Sequence, residues 1–434
     1  MDRRLQQRYY QLVREHTHSL TPTTTGPSAL PGSRTAFAST QALWRFVNND
    51  AVSLAALMEA VRDAGRDALA RCPAGPALIV HDWSVLQYAS HAAKADRLRR
   101  THDADVGYEL GTALLVDAAA GRPLGPMELR LRTGRGLVSS RPGGVTATNN
   151  VEEVLGVMAA AAAWGLGRSL VHVIDREADS VDHYRRWHAA RHRFLVRADA
   201  DRRVRWQGQE IKLAMLAERL WSAGGFAATG QELAVGDATG RLYVAATAVV
   251  LHRPAHRRLE GRCVRVYGPP LPLRLAVTRL VAATGAVLAE WLLLSNVSGS
   301  IPAETLAQWY AWRWRIESFF KLLKTAGQQV ERWEQTTADA IAKRLAVASM
   351  ACLVVWLLQD DPRPMAATLR HLLVRLSGRQ MKHGVHSTAP ALLAGLEKLL
   401  AALDLLDQYS PDYLRCLLQQ CLPQFFSCPG RRDV

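Results

Sequence analysis

The spacing of hydrophobic residues along the chain changes near residue 75. Before that point, "TQALWRFVNND" (40–50) and "SLAALMEAVRDAGRDALAR" (53–71) carry apolar residues at three- and four-residue intervals. This is the period of an amphipathic α-helix. The chain also begins with a basic stretch of helical pattern, so we predict a helical N-terminal region over residues 1–75.

From residue 76, short apolar runs alternate with helical patterns. The successive segments are "PALIVHD" (76–82), two strand-like runs around "GRPLG" (121–125), an alanine-rich helix from 151, "RSLVHVID" (168–175), a helix from 178 and "RFLVR" (193–197). The order is three strands, helix, strand, helix, strand. Such alternation predicts an α/β fold, with helices on the faces of a sheet.

The segment 199–298 interrupts this alternation. It holds several strand-like runs, such as "LYVAATAVVL" (242–251), separated by Gly/Pro turns, and predicts a mostly β insertion. Helical patterns resume from about residue 302. We therefore predict an α/β core over 76–198 and 299–360, and a helical C-terminal region over 361–434.

The charge of the chain favours a polyanionic partner. Among 434 residues, 54 Lys and Arg face 39 Asp and Glu, a net charge of +15 with a pI near 10.0. Such a balance is typical of nucleic-acid-binding proteins, although basic proteins without that role also exist.

Cysteines and apolar runs favour a soluble protein of the cytoplasm. The six cysteines, Cys428 among them, form neither a CxxC motif nor a zinc-like pairing with histidine, as expected in a reducing compartment. The N-terminus has charges where a signal peptide needs an apolar core. The charge-free run from Leu345 to Leu358 is too short to span a bilayer and predicts a buried helix.

The stretch "QWYAWRWRIESFFKLLK" (308–324) has two chemically different sides when drawn as one helix. One side carries Tyr310, Arg313, Glu317 and Lys324. The opposite side carries Trp312, Ile316, Phe319 and Leu323 and predicts the buried face. Trp314 lies near the polar side, where an aromatic ring can stack on a nucleobase. A simpler interpretation is an exposed ion-pair ladder of Arg313, Glu317 and Lys321 at i, i+4, i+8.

Two further acids follow buried apolar runs. Asp82 closes "ALIVHD" and Asp175 closes "SLVHVID", and the ends of strands are where open α/β sheets build sites. Each could instead cap a turn. Asp117, Glu177 and Asp179 are lower-ranked candidates for the same site.

Asp82, Asp175 and Glu317 together would repel one another unless a cation lies between them. Mg²⁺ takes such oxygen ligands.

Four short sequence blocks of this chain, taken together, resemble those of a known family. The spacing Y-x2-R-x3-E-x6-K at 310–324 is similar to the signature of bacterial DDE transposases of the insertion-sequence-four family. "HDWSVLQY" (81–88), "VIDREADS" (173–180) and "RFLVR" (193–197) look like its other blocks. The resemblance covers about residues 37–360 and implies a ribonuclease-H-like catalytic core with a β insertion between the second Asp and the Glu.

The resemblance also implies roles for individual residues. Asp82, Asp175 and Glu317 would hold two Mg²⁺ ions, for which Mn²⁺ substitutes. Tyr310, Arg313, Lys324 and Arg197 would contact phosphates beside the cleaved end. Trp291 matches the aromatic that holds a flipped base as a DNA hairpin forms, unless it is a packed strand residue. Trp314 is a second stacking candidate.

The implied activity is DNA transposition in the bacterial cytoplasm, at the nucleoid. The enzyme would bind the ends of its mobile element through residues 1–75 and cleave them by Mg²⁺-dependent phosphoryl transfer. In its nearer relatives this cleavage passes through a DNA hairpin. The enzyme would then join the 3′-OH to target double-stranded DNA. Two subunits would pair through C-terminal helices, although the helix at 389–406 fits an intramolecular bundle equally well. The alternatives are a metal-dependent nuclease on the same core, or a catalytically inactive DNA-binding protein derived from a transposase.

Overall fold

A computed structural model describes residues 1–18, 36–102, 105–141, 149–235, 238–259, 262–382 and 384–422. Cys428 therefore lies outside the described residues. The helices are α1 (Arg3–His18), α2 (Ala36–Val47), α3 (Leu54–Ala70), α4 (Asn150–Ala161), α5 (Val181–Ala189), α6 (Leu213–Ser222), α7 (Ala303–Ala311), α8 (Trp314–Leu323), α9 (Ala338–Gln359), α10 (Pro364–Ser377), α11 (Ala389–Leu406) and α12 (Pro411–Cys421).

The strands form a large mixed sheet and a separate hairpin. They are β1 (Ala77–Gln87), β2 (Leu98–Arg99), β3 (Val106–Asp117), β4 (Pro123–Thr133), β5 (Gly136–Ser139), β6 (Leu170–Ile174), β7 (Arg193–Arg197), β8 (Arg203–Trp206), β9 (Gln209–Lys212), β10 (Ala227–Val235), β11 (Ala238–Leu251), β12 (Ala255–Leu259), β13 (Arg262–Val266), β14 (Leu271–Ala282) and β15 (Val287–Ser295).

The sheet confirms the predicted α/β class. Within the described residues it has thirteen strands in the order β5-β4-β3-β1-β6-β7-β15-β14-β11-β8-β9, with β2 beside β3 and β10 beside β11. β1, β6 and β7 run parallel, whereas β3 pairs with β1 in the antiparallel direction. Most strands of the predicted insertion join β7 through β15 and extend the same sheet, whereas β12 and β13 form the separate hairpin.

The chain divides into two compact units whose limits differ from the predicted domains. One unit comprises Met1–Val52, Leu322–Gln335 and Met350–Val434, and the other Ser53–Lys321 and Thr336–Ser349. α3 belongs to the sheet unit because its apolar side lies on β4: a Cβ on Gly65 would be 3.1 Å from the Leu124 carbonyl oxygen. The functional division into four domains stays a prediction.

The helical unit holds α1, α2, α10, α11 and α12. α10 and α11 approach so closely that a Cβ on Gly395 would overlap the carbonyl oxygen of Leu373. Arg14 of α1 pairs with Asp404 of α11 at 3.1 Å. By contrast, no residue of α12 is buried.

One described helix, α9, is long and apolar enough to cross a membrane by length and composition. However, 78% of its apolar window is buried, as in the core helix of a soluble protein. This confirms the predicted buried helix at Leu345–Leu358.

Candidate active site

The sheet aligns three of the expected site residues in one row. His81, Ile174 and Val196 are register partners on the parallel strands β1, β6 and β7. Asp82, Asp175 and Arg197 each follow one of these partners by a single residue. Because side chains alternate between the two faces of a sheet, the row projects from the face opposite to His81.

The structure corrects the predicted position of Asp82. Asp82 does not end its strand, since β1 continues to Gln87 and pairs with β3 along its whole length. Asp175 does follow the last residue of β6 and caps the next turn, accepting from the Arg176 amide at 2.7 Å. Asp175 therefore caps a turn, as the alternative interpretation predicts, and also lies in the row with Asp82.

The third acid comes from a bent helical pair, not from one continuous helix. α7 ends at Ala311 and α8 begins at Trp314. At the bend, the Arg313 amide bonds the Tyr310 carbonyl at 3.0 Å and the Ile316 amide bonds the Arg313 carbonyl at 3.1 Å. These i to i+3 bonds tighten the chain. On the predicted polar side, Arg313 is buried, whereas Glu317 stays partly exposed.

The bend is held by the turn that follows β3. Trp309 donates from Nε1 to the Ala118 carbonyl at 3.0 Å, and Arg315 donates from Nε to the Gly121 carbonyl at 2.9 Å. Trp312 lies against Gly121 so closely that a Cβ there would overlap its ring. Trp312 is only partly buried, whereas Ile316 and Phe319 are buried as predicted.

Arg313 binds all three acids. Its Nη1 donates to Asp82 Oδ2 at 3.0 Å, its Nη2 donates to Glu317 Oε1 at 2.9 Å, and Nη2 lies 3.4 Å from Asp175 Oδ2. The side chain is almost fully buried. The Arg313–Glu317 pair of the predicted ladder is therefore present, but Arg313 is not exposed and joins carboxylates from three separate segments of the chain.

The two aspartates have opposite pKa shifts. Burial raises the pKa of Asp82 to about 6. The negative charges of Glu317 and Asp175 also raise it, whereas the Trp83 amide and Arg313 act to lower it. Burial also acts to raise the pKa of Asp175. There the Arg176 amide, Arg313, the Tyr310 hydroxyl and Arg197 outweigh it and hold the pKa below its usual value. Carboxyl groups with separated pKa values are typical of acid–base sites.

Tyr310 and Arg197 complete the surroundings of Asp175. The Tyr310 hydroxyl donates to Asp175 Oδ1 at 2.9 Å, and Arg197 Nη1 lies 4.0 Å from the same oxygen. Burial, with the nearby Asp175 charge, raises the pKa of Tyr310 far above its usual value, so the hydroxyl stays a hydrogen-bond donor. Burial would lower the pKa of Arg313, but Asp175, Tyr310, Asp82 and Glu317 raise it, which keeps the guanidinium charged.

The two candidate stacking residues lie in different surroundings. Trp291, half-buried on β15, has its ring centroid 6.0 Å from that of Tyr310. It shares a sheet face with Arg197 because Leu293, two residues along, is the register partner of Arg197. Trp314 is 55% exposed, and the Arg313 guanidinium carbon lies 5.4 Å from its ring centroid.

Lys324 follows α8 and belongs to the helical unit. Its Nζ lies 3.6 Å from Glu331 Oε1. Two of the three rival acids have partners of their own. Asp117 pairs with Arg122 at 3.2 Å, and Asp179 pairs with Arg202 at 3.1 Å.

A buried histidine pair behind Asp82 was not predicted. His81 Nε2 and His172 Nδ1 lie 2.8 Å apart. Burial, followed by the charges of His172, Arg130 and His192, lowers the pKa of His81 well below its usual value. The sequence signal was a histidine just before the end of each apolar run, in "VHD" and "VHV", but their contact depends on strand pairing 91 residues apart.

The carboxylates suit Mg²⁺ in their chemistry, since it binds hard oxygen ligands. A cation near Asp82 would also offset the burial that raises its pKa. As the chain is folded, however, the positive charge between the acids is Arg313. Among the described residues, no group of three or more His, Cys, Asp or Glu side chains is placed to hold a metal ion.

Searches of protein-family models and of curated proteins find no match to this chain.

Proposed function

We propose that this chain is a DNA transposase that binds the ends of its mobile element, cleaves them by metal-dependent phosphoryl transfer and joins the 3′-OH to target DNA. The observation that carries the proposal is the convergence of Asp82, Asp175 and Glu317, 93 and 142 residues apart in sequence, on one guanidinium. Three acids gathered beside parallel strands have little structural reason to be together.

The fold supports the same proposal. An antiparallel β4-β3-β1 set followed by the parallel strands β6 and β7 is the arrangement expected of a ribonuclease-H-like core. The strands between β7 and α7 correspond to the insertion that the sequence resemblance implies. The net charge of +15 favours binding to DNA phosphates.

In this proposal, Asp82, Asp175 and Glu317 would hold Mg²⁺, or Mn²⁺ in its place. When bound, such ions would supply activation of a water or a 3′-hydroxyl and stabilisation of the leaving oxygen. Tyr310 keeps Asp175 ionised and oriented through its hydroxyl. Arg313 balances the charge of the acids in the free protein and donates its fork of N–H groups to a phosphate, for which guanidinium geometry is suited. Arg197 contributes a second positive charge beside Asp175.

Subunit pairing is part of the proposal. Several apolar side chains of α11 and α12 are exposed, namely Leu403, Leu405, Leu406, Tyr413, Leu417 and Leu418. Exposed apolar patches of this kind are typical of protein interfaces. We expect light scattering of the full chain with element-end DNA to give two subunits per pair of ends.

The test is cleavage of a duplex that carries the inverted repeat flanking the gene. Alanine at Asp82, Asp175 or Glu317 should abolish Mg²⁺-dependent nicking while DNA binding is retained. The matched control is Glu232→Ala, an exposed acid on β10. Mg²⁺-dependent cleavage by all three alanine variants would refute the assignment. Supplying a pre-cleaved 3′-OH end and a target plasmid separates a transposase, which joins them, from a nuclease, which only degrades.

One observation favours a second candidate, a DNA-binding protein without catalysis. Arg313 already supplies a positive charge to all three acids, as a permanent structural ion pair would. Calorimetry with Mn²⁺ distinguishes the two. Binding that is lost in Asp82→Ala supports the enzyme, and no binding in the wild type supports the second candidate.

A further inference from the structure

Two adjoining cavities lead from Asp175 to the hairpin of β12 and β13. The first, of about 500 Å³, is lined by Asp175, Arg176, Glu177, Asp179, Arg197, Asp199 and Arg202. The second, of about 530 Å³, shares Asp199 and Arg202 with the first and ends at Arg253, His256, Arg265 and Tyr267. Together they make a groove that begins at Asp175, and we call it the hairpin groove.

The far end of the hairpin groove is basic. Arg202, Arg203, Arg253 and Arg265 line the second cavity, against the acids Asp199 and Asp201. Both acids have partners: Asp201 pairs with Lys212 at 2.7 Å, and Asp199 lies 4.0 Å from Arg176. Arg203 and Arg253 lie 2.9 and 3.9 Å from Glu210, whereas Arg265 has no ion pair within the described part of the chain.

Strand alternation explains why only part of the hairpin faces the groove. His256 and Arg265 are register partners and therefore project from the same face, and both line the cavity. Arg257, on the opposite face, pairs with Asp182 of α5 at 2.5 Å. Arg185 of α5 donates to the carbonyl oxygens of Arg253 and Pro269, both at 3.1 Å. The hairpin is thus fixed to α5 at three points.

An aromatic ring stands at the end of the groove. Tyr267, directly after β13, is 77% exposed although it is a large ring. Exposed aromatic residues between arginines are typical of surfaces that bind single-stranded nucleic acid, because bases stack on the ring while the arginines contact the backbone. Few other ligands need both an exposed aromatic ring and arginines on either side of it.

We infer that the hairpin groove binds the DNA strand that leaves the cleavage site, with Arg253 and Arg265 on its phosphates and Tyr267 stacked on an unpaired base. This inference rests on the proposed function, since it takes the acids as the point where the strand is cut. It assigns the β12–β13 hairpin a role in holding several nucleotides beyond the scissile phosphate.

Binding of a fluorescent oligothymidylate to the full chain tests the groove without catalysis. Tyr267→Ala should weaken binding about five- to a hundredfold, the range for one stacked base. Arg265→Ala should reduce the slope of log affinity against log salt by about 0.7 for each phosphate that the arginine no longer binds. Arg135→Ala, an exposed arginine in the turn between β4 and β5, at the other end of the strand order, should change neither value.

Cleavage of DNA with short and long flanks then separates the two proposals. Wild type should prefer the long single-stranded flank, and this preference should vanish in Arg265→Ala and Tyr267→Ala, with unchanged thermal melting as the folding control. Cleavage with an unchanged preference in both variants would overturn the groove inference and leave the transposase standing. Failure of the wild type to cleave any substrate would count against the proposed function. Equal binding of inorganic polyphosphate and oligothymidylate, insensitive to Tyr267, would also overturn the inference.

Discussion

Arg313 Nη1 donates to Asp82 Oδ2 across 3.0 Å and so joins the middle of β1 to the bend between α7 and α8. The contact explains how a strand and a helix pair become one site. It also creates a dependence in both directions. Asp82 is largely removed from solvent and is favoured by a positive partner, and Arg313 is buried and needs negative ones.

Replacing Arg313 by alanine is expected to destabilise the protein by about 2–3 kcal/mol. Breaking a fully buried ion pair costs about 3–5 kcal/mol, and the partial exposure of Asp175 and Glu317 reduces that figure. Urea unfolding at pH 7.5 measures it. Arg313→Lys keeps a charge but loses the planar fork, so its free energy of unfolding should lie between those of the wild type and Arg313→Ala. A loss below about 0.5 kcal/mol in the alanine variant would contradict the buried role.

The raised pKa of Asp82 predicts that Asp82→Asn stabilises the protein at neutral pH. The native pKa is about 6 and the unperturbed value 3.8, so the native state binds this proton more tightly than the unfolded chain. The stability that this provides is complete below pH 3.8 and is lost as pH rises through 6.

The asparagine side chain in Asp82→Asn is neutral at every pH. The variant should therefore exceed the wild type by about 2 kcal/mol above pH 7, and the two should converge near pH 3.5. Urea unfolding across pH 3.5–8 gives the difference. An advantage that does not change with pH would contradict the assignment of this titration to Asp82.

The sequence predicts the site well where its determinants are local. The spacing of Tyr310, Arg313 and Glu317 and the position of Asp175 after an apolar run follow from periods of 3.6 and 2 residues, and the structure does bring these side chains together. The α/β class follows in the same way from alternating patterns. Short-range periodicity does not reveal where a helix bends, and so the turn at Trp312–Arg313 was missed.

Other features depend on distant partners. β1 extends past Asp82 because β3 pairs with it to Gln87, which no local pattern specifies. α6 lies within a segment that was predicted to be mostly β, since its apolar positions Leu213, Leu216 and Ala217 are buried only in the assembled fold. The burial of Arg313 likewise becomes visible only when three chain segments meet.

The buried histidines predict a loss of stability in mild acid. Burial, and then the charge of His192, lowers the pKa of His172 from 6.5 to about 3, so between these values the unfolded chain binds a proton that the native state does not. The associated stability is complete above pH 6.5 and is lost as pH falls toward 3.

His172→Gln removes one of these titrations. The slope of unfolding free energy against pH between 6 and 4 should decrease by about 1.4 kcal/mol per pH unit. An identical slope in wild type and His172→Gln would show that His172 is protonated in the native state after all.

Gly121→Ala should disturb the site from a distance. Gly121 has φ +67°, which costs an alanine about 1 kcal/mol, and its added Cβ would overlap the Trp312 ring. Gly165 has φ +64° but no atom closer than 3.8 Å to an added Cβ, so Gly165→Ala isolates the backbone cost. We expect a loss of about 1 kcal/mol in Gly165→Ala and about 2–3 kcal/mol in Gly121→Ala, measured by urea unfolding.

The near-ultraviolet circular dichroism of tryptophan should change only in Gly121→Ala, because Trp312 must move and shift the bend that carries Arg313. Equal losses with unchanged spectra would mean that the turn after β3 does not hold the bend.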